Sequence, residues 1–511
     1  MDENRIPVLV GAGQITQREP DPAAALAPMD LTAQACRLAG EDSGAGDKLL
    51  TSLDTLVVLR SYSDTSWRFT CPFGRYQHPP KSLATRLAVA NPKRLIYTYP
   101  GGNMPQWSIN RLSEKVTRGE VRAAIVAGGE ALATQKAAQR AGLSLDWSEP
   151  SDEPPAQWGV PTRGWNDTED RHRMTGAIFA YPLFENGIRG FHGRSIDEHM
   201  QSMGTLFARF ASVAAGNPLA ARRDGFSAHQ IATVSDSNPF IGFPYTKLMN
   251  ANAFIDQAAA VILTSAAHAR ALGIGESRWV YLHGCADTYD HWYISDRLNY
   301  HASPAMRIAA GEALAMAAIE KDRIDFFDLY SCFPSAVEIA SREMGIALDD
   351  ARGLTVTGGL PYFGGPGNNY VTHSIAEMMH RVRAKPGSFG MVTANGNYVT
   401  KQSVGIYSTK APEQAFAPKD PALYQAEINA DKGPPVTAVA NGPATVETYT
   451  VMHDRKGPDY AILFGRLEDG RRFIANTPED AQLLENMTRE DFLGARGQVH
   501  SAGGINIFTP D

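Results

Sequence analysis

The chain has 511 residues, of which 43% are apolar and 20% charged, as is typical of a globular protein with large buried cores. Its length corresponds to two to four domains. A net charge of −7 and a pI near 6.0 argue against a nucleic-acid-binding protein. No apolar run approaches the ~18 residues that a membrane-spanning helix needs, so we expect no membrane partner.

The cysteines Cys36, Cys71, Cys285 and Cys332 are scattered and form no Cys-x-x-Cys pair. This spacing favours reduced thiols in a cytoplasmic protein over disulfides or zinc, and we predict no metal site. The N-terminal stretch is acidic and then strand-like, which is not typical of a secretory signal.

The first part of the chain alternates between strands and helices. The predicted elements are a strand at 6–13, a helix at 30–38 with Asp30 as N-cap, strands at 55–59 and 94–99 with a helix at 81–89 between them, a helix ending near 119 and a strand at 123–130. A tight Gly101-Gly102 turn precedes the helix that ends near 119. It places Gly102 and Asn103 at a helix N-terminus, where N–H groups and the helix dipole favour anionic or polarised ligands.

The second part repeats this order. The predicted elements are strands at 278–284, 324–330, 354–357 and 389–394 and helices at 305–319, 336–344 and 370–382. Two halves with matching glycine turns indicate a duplicated α/β architecture with near-parallel sheets between helices.

Two further regions differ from this pattern. Residues 143–244 are first proline-rich and then amphipathic, from Ser195 through Met200 and Phe207. We interpret them as an insertion that folds over the first half, either as a substrate lid or as a packing subdomain. A predicted linker at 420–435 leads to short alternating strands (444–451, 460–464, 472–475, 495–499 and 505–508), which are typical of a small β-barrel.

Together with the junction from Tyr245 to Leu263, this organisation resembles the thiolase superfamily, in particular the sterol-carrier-protein-type thiolases and thiolase-like protein type 1, often labelled acetyl-CoA acetyltransferases. The resemblance implies an α/β fold: a duplicated βαβαβαββ thiolase fold in α-β-α-β-α layers, with a helical insertion and an OB-like C-terminal β-barrel. The expected domains are an N-terminal half (1–142 and 245–266), the inserted loop domain (143–244), a C-terminal half (267–428) and the additional barrel (429–511).

The resemblance also locates the catalytic loops of the family. The nucleophilic cysteine of thiolases corresponds to about Gly102, and their activating histidine falls in Gly364-Gly365-Pro366. Their second loop corresponds to Tyr330-Ser331-Cys332-Phe333, and the cysteine of their fourth loop is absent from 394–398. We therefore expect ordinary cysteine-based thiolase chemistry to be lost.

Polar residues remain in these loops. The catalytic candidates are Tyr330, His373, Asn395 and Cys332, and the candidates for holding a substrate or an oxyanion are Gly102, Asn103, Ser331, Gly365, Asn368 and Asn397. For several of them a structural role is an open alternative: Tyr330 as a core tyrosine, Cys332 as a buried thiol and His373 as a packing residue. We expect Lys401 to be solvated.

The resemblance implies an acyl-CoA-binding protein that is similar to an acetyl-CoA acetyltransferase of lipid metabolism. Coenzyme A would be part of the substrate, and no separate cofactor is expected. The alternatives are a carbon–carbon lyase, by retro-aldol or retro-Claisen cleavage with Tyr and His as acid and base, and a non-catalytic acyl-CoA-binding protein. The family implies a homodimer, with a monomer left open, and CoA contacts from Arg171, His172 and Arg173.

Overall fold

The computed structural model describes residues 2–511. Its first half begins with a strand whose buried residues lie against the following helix. The elements are β1 (Pro7–Thr16), α1 (Pro28–Asp42), α2 (Asp47–Thr51), β2 (Thr55–Val58), α3 (Pro79–Arg86), β3 (Arg94–Thr98), α4 (Met104–Thr117), β4 (Ala123–Ala131) and α5 (Leu132–Ala141). The insertion contributes β5 (Ala156–Trp158), α6 (Asp167–Arg171), α7 (Ala177–His192), α8 (Ile196–Gly216), α9 (Ala228–Ala232), β6 (Phe240–Gly242) and β7 (Tyr245–Thr246).

The chain then returns to the first half with β8 (Asp256–Ser265) and α10 (Ala266–Ala271). The second half comprises β9 (Tyr281–Tyr289), α11 (Pro304–Ala317), β10 (Ile324–Asp328), α12 (Pro334–Met344), α13 (Tyr370–Ala384), β11 (Phe389–Gly396), β12 (Lys401–Ser408) and α14 (Pro421–Ala430). The C-terminal region contains β13 (Gly442–Asp454), β14 (Gly457–Leu467), β15 (Arg472–Asn476), α15 (Ala481–Asn486), β16 (Arg496–Ala502) and β17 (Ile505–Pro510).

The two halves form two sheets that enclose a pair of helices. The first sheet has the order β1-β8-β4-β2-β3-β5 and the second the order β10-β11-β12-β9. Helices α4 and α13 contact both sheets, while α1 and α3 cover the outer face of the first sheet and α11 packs on the outer face of the second. The predicted α-β-α-β-α layering is therefore confirmed. Because α4 and α13 begin at the loops of the predicted site, this layering brings those loops together.

The C-terminal strands close into a barrel with the order β13-β14-β15-β17-β16, since β16 pairs back onto β13. The predicted small β-barrel is confirmed. Strand β6 of the insertion also pairs with β13, at Gly242 and Met452, and Phe243 stacks on Tyr449 within the barrel core. The barrel and the insertion thus share a sheet.

Some predictions of local structure are wrong. Residues 354–357 form no strand: their backbone makes one bond to Leu329, and the hydroxyls of Thr355 and Thr357 bind the carboxylate of Asp328 instead of extending a ladder. The predicted linker contains α14, which starts with the Asp420 cap and buries Tyr424 against the second half.

Two further corrections concern a helix cap and the insertion. Ala27, not Asp30, caps α1, because Pro28 occupies the first helical position and Asp30 lies in the first turn. Helix α7 of the insertion packs on α12 of the second half and on β13, rather than only over the first half. None of the helices in residues 2–511 is long and apolar enough to cross a membrane.

Candidate active site

The site centres on the turn between β3 and α4, where a side chain at position 102 has no room. A Cβ atom built on Gly102 would lie 2.6 Å from Cζ of Tyr330 and 2.6 Å from the backbone oxygen of Asn395. The phenol of Tyr330 therefore fills the space that a side chain on Gly102 would occupy. Glycine is required here because of this close approach.

Tyr330 presents its hydroxyl to this turn. The side chain is 8% exposed, and no hydrogen bond within residues 2–511 involves its hydroxyl. Burial, followed by the nearby Cys332, raises the pKa of the phenol well above its usual value. At neutral pH the group is thus an uncharged hydroxyl that can donate a proton or a hydrogen bond.

Tyr181 of α7 connects the insertion to this cluster. Its hydroxyl accepts hydrogen bonds from Asn395 Nδ2 at 3.1 Å and from the Val399 amide at 3.3 Å, and it lies near the thiol of Cys332. Burial raises the pKa of the Cys332 thiol to about 12, so this cysteine is not a thiolate at neutral pH. Oδ1 of Asn395 accepts the Val399 amide at 3.1 Å, so this side chain also holds the loop that follows it.

That loop has an unusual backbone. Asn397, Tyr398 and Val399 all have positive φ values, of 50°, 57° and 62°. A left-handed conformation is costly for a β-branched residue such as Val399, and it persists only where the surroundings enforce it. The turn reverses the chain from β11 into β12 and delivers Lys401 to the Gly101-Gly102 turn.

Lys401 is buried, so the expectation that it is solvated is wrong. It is 6% exposed, its Nζ donates to the Pro100 oxygen at 2.7 Å, and it forms no ion pair with a carboxylate of the described chain. Burial lowers the pKa of the amine to about 8. Nζ lies 2.7 Å from the position of a Cβ atom on Gly101, so the amine contacts the residue directly before Gly102.

Several predicted ligands of an oxyanion are already engaged. Asn368 accepts the Gly101 amide at 2.8 Å and donates to the Arg60 oxygen at 2.7 Å. The Gly365 amide is bonded to the Asn252 oxygen at 2.9 Å, and Ser331 Oγ accepts the Leu360 amide at 3.3 Å. These contacts fix the loops, whereas the buried Oδ1 of Asn103 has no hydrogen-bond partner within residues 2–511.

His373 is held apart from this cluster. Its Nδ1 bonds to Oε1 of Gln14 in β1 at 2.9 Å, and its ring lies against Phe363. Burial lowers the pKa of the imidazole to about 3. The neutral imidazole of His373 therefore packs between α13 and β1, where it is hydrogen-bonded to Gln14. Asn397, by contrast, is half-buried in the left-handed loop beside Gly164.

Comparison with known proteins places the chain in a family. The family model of the thiolase-like protein type 1 additional C-terminal domain matches residues 424–504. No curated protein sequence matches the chain. A monomeric SCP2-thiolase like protein type 1 from Mycobacterium smegmatis is 34% identical over 100% of both chains, with a TM-score of 0.86. The chain belongs to the SCP2-thiolase-like protein type 1 family. The predicted resemblance is therefore confirmed.

More distant structures share the thiolase fold alone with this member of the SCP2-thiolase-like protein type 1 family. An Ltp2-ChsH2(DUF35) aldolase is 15% identical, covering 81% of this chain and 100% of its own, with a TM-score of 0.57. The acetyl-CoA acetyltransferase of Syntrophomonas wolfei is also 15% identical, covering 80% of this chain and 100% of its own, with a TM-score of 0.55.

The insertion of this SCP2-thiolase-like protein turns its predicted CoA ligands towards the barrel. His172 accepts the Asn506 amide at 2.9 Å, and the guanidinium of Arg173 lies over the ring of Tyr460. Arg171 lies beside Gly504 of the barrel. These contacts connect the insertion to the barrel and leave the CoA contacts a prediction.

Sequence reasoning missed three features of the site in this family member. Tyr181 stands in a helix far from the catalytic loops along the chain, and the burial of Lys401 depends on the left-handed Tyr398 and Val399, which the sequence does not signal. Glu185, His199 and Glu338, from three different helices, form a buried group with the geometry to hold a metal ion. The only sequence signal for these three residues is that each is a polar residue on an otherwise apolar face of its helix.

We expect Gly102→Ala to lower the free energy of unfolding by about 3 kcal/mol, because the new methyl group overlaps the Tyr330 ring and a backbone oxygen that cannot rotate away. Urea denaturation measures the change. Gly216→Ala, at an exposed glycine that, like Gly102, has no left-handed φ and has open space around it, controls for the added methyl group alone. Equal losses in the two variants would contradict the overlap with Tyr330.

Proposed function

We propose that the chain is a carbon–carbon lyase of the retro-aldol type that acts on a β-hydroxyacyl-CoA thioester without a cysteine nucleophile. The observation that carries the proposal is the phenol of Tyr330 in the side-chain space of Gly102, with the amine of Lys401 beside Gly101 of the same turn. This pair supplies a proton donor and a proton acceptor where thiolases need a thiol.

The two groups suit these roles because burial moves their pKa values apart. The pKa of Lys401 is about 8, so part of the amine is neutral near physiological pH and can accept the proton of a β-hydroxyl. The pKa of Tyr330 is raised, which keeps the phenol protonated. Cleavage of the carbon–carbon bond leaves the acyl fragment as an enolate. A hydrogen bond from Tyr330 stabilises the negative charge that develops on this enolate.

The proposed reaction needs no external reductant or oxidant. Lys401 takes the hydroxyl proton as the carbonyl of the leaving aldehyde or ketone forms. The electron pair of the broken bond moves to the α-carbon, which takes a proton from Tyr330 to give a shortened acyl thioester. The ammonium of Lys401 returns its proton to the tyrosinate through water. An aldolase among the structures of this fold makes the reaction class compatible with the architecture.

We expect Tyr330→Phe to reduce turnover of β-hydroxyacyl-CoA substrates by about 100-fold or more while retaining the fold. Release of the aldehyde or ketone is measured across short, branched and steroid-like acyl chains, with circular dichroism to check folding. In wild type, kcat should rise with pH through about 8, and Lys401→Met should abolish that rise.

A matched control is Tyr370→Phe, which removes a neighbouring buried hydroxyl that is bonded to Thr357 at 2.6 Å. It should retain turnover within a few-fold. Unchanged activity of Tyr330→Phe, or an equal loss in Tyr370→Phe, would count against the assignment of Tyr330 as proton donor.

A second candidate function is acyl-CoA binding without catalysis. The observation that favours a role without catalysis is that the cavity beside Tyr330, lined by Asn395, Val399 and Gln402, measures about 10 Å³, which is room for one water molecule and not for a thioester. Thermal shift with CoA, acetyl-CoA and acetoacetyl-CoA distinguishes the cases, since a ligand at 100 times its Kd stabilises by about 2.7 kcal/mol. Binding without turnover would favour this candidate, and no binding would exclude CoA from both.

A further inference from the structure

A buried acid–imidazole group joins the insertion to the second half. Glu185 of α7 and His199 of α8 are 0% exposed, and Glu338 of α12 is 6% exposed. One potential ligand atom from each lies within 4.8 Å of the other two. Nε2 of His199 is 2.6 Å from Oε1 of Glu185.

The hydrogen bonding of this group is incomplete. Tyr245 donates to the second oxygen of Glu185 at 2.5 Å, so that carboxyl has partners on both sides. Oε1 of Glu338 is buried and has no partner in the described chain. A buried carboxyl oxygen without a donor is costly, because it has lost its hydration and gained nothing in exchange.

We propose that Glu185, His199 and Glu338 bind a divalent transition-metal ion, of the class of Zn²⁺ or Mn²⁺. Two carboxylate oxygens and one imidazole nitrogen are a donor set that such ions accept. The ion neutralises both carboxylates and gives the free oxygen of Glu338 a partner. Ligand bonds of about 2.0–2.2 Å require the bonded His199 and Glu185 atoms to separate, a movement that side-chain rotation allows.

The proton on His199 must also move. Nη1 of Arg194 lies 3.3 Å from Nδ1 of His199, and a guanidinium only donates, so Nε2 carries the proton that is shared with Glu185. Metal ligation through Nε2 transfers that proton to Nδ1. Arg194 is only partly buried, and it then turns from the ring towards Ser202, to which it already donates at 3.2 Å.

The position of the ion gives it a structural purpose. Glu185 lies one turn after Tyr181 on α7, and α12, which carries Glu338, begins directly after Cys332 and Phe333. The ion would thereby fasten together the helices that carry Tyr181 and the second catalytic loop. This inference is independent of the proposed reaction, because it concerns metal content and stability.

The test is metal analysis of the full chain, purified from cells grown with added zinc and manganese. We expect inductively coupled plasma mass spectrometry to find about one Zn²⁺ or Mn²⁺ per chain. Chelation should lower the melting temperature by several degrees, and added Zn²⁺ or Mn²⁺ should restore it. Glu338→Gln should lose the bound ion and the response, whereas Asp197→Asn, which removes one exposed charge from α8, should keep both.

Two results would overturn the proposal. One is a wild-type chain that holds no metal and is not stabilised by either ion, which would mean that the carboxyls stay protonated. The other is equal metal binding by wild type and Glu338→Gln. If Glu338→Gln does not fold, X-ray absorption of the loaded wild type decides: oxygen ligands with one imidazole support the site, and sulfur ligands overturn it.

Discussion

Replacing Arg472 with methionine is expected to lower the free energy of opening of the C-terminal barrel by about 3 kcal/mol. Arg472 is 0% exposed and donates to both oxygens of Glu447, at 2.6 and 2.8 Å. It also donates to the Ser295 oxygen at 3.0 Å and to the Arg297 oxygen, so one guanidinium holds the barrel to the second half. Removing it leaves these buried acceptors without their donor.

This loss of free energy is at the lower end of the range for breaking a buried ion pair, because Arg466 stays hydrogen-bonded to Glu447 in the variant. Hydrogen–deuterium exchange measures the effect: amides of the barrel should exchange about 100-fold faster, while those of the first sheet should not change. Arg471→Met removes the neighbouring arginine, which pairs with Asp469 on the surface, and should leave the exchange of the barrel amides unchanged. Equal protection of the barrel in both variants would contradict the role of Arg472.

A second large effect concerns acid stability, through His373. Burial holds its pKa at about 3 in the folded protein, against an ordinary 6.5. Between these values the unfolded chain binds a proton that the folded chain does not, so stability is fully present above about pH 6.5 and falls as the pH drops towards 3. Between pH 7 and pH 5 this single group should remove about 2 kcal/mol.

Substitution of His373 by glutamine isolates this contribution. The variant keeps a polar side chain beside Gln14 but has no proton to take up, so it should lack the corresponding loss between pH 7 and pH 5. Urea denaturation at several pH values gives the difference between variant and wild type. His229→Gln, at an exposed site on α9, should follow the wild-type curve. A wild-type-like pH dependence of His373→Gln would show that the imidazole is not buried as described.

Much of the architecture could be predicted from the sequence because it is encoded locally. The alternation of apolar strands and helices, with glycine turns between them, marked both halves and the barrel. The failures occurred where a long-range contact decides the outcome. Residues 354–357 have the composition of a strand, but the Asp328 carboxylate takes their threonine hydroxyls. The weakly amphipathic α14 forms because the second half covers its Tyr424.

The candidate site shows the same limit more strongly. The correspondence with the thiolase loops predicted that Gly102, Tyr330 and Asn395 lie in one site. In the structure Gly102 contacts both Tyr330 and Asn395. The correspondence could not show that His373 is directed to Gln14, since that depends on how α13 lies against β1. Nor could it show the burial of Lys401, because charged residues are rarely buried, and because Asn395-Gly396-Asn397 indicates a turn but not the left-handed Tyr398 and Val399 that follow.

The sheet shared between the insertion and the barrel affects the order of events during synthesis. The partner of β6 and of the apolar side of α7 is β13, which leaves the ribosome only after the whole second half has been made. At about 5–20 residues per second, the roughly 200 residues between Gly242 and Met452 take about 10–40 s. During that interval the growing chain carries an unpaired edge on β6, which is covered only when β13, the first strand of the C-terminal barrel, has been made.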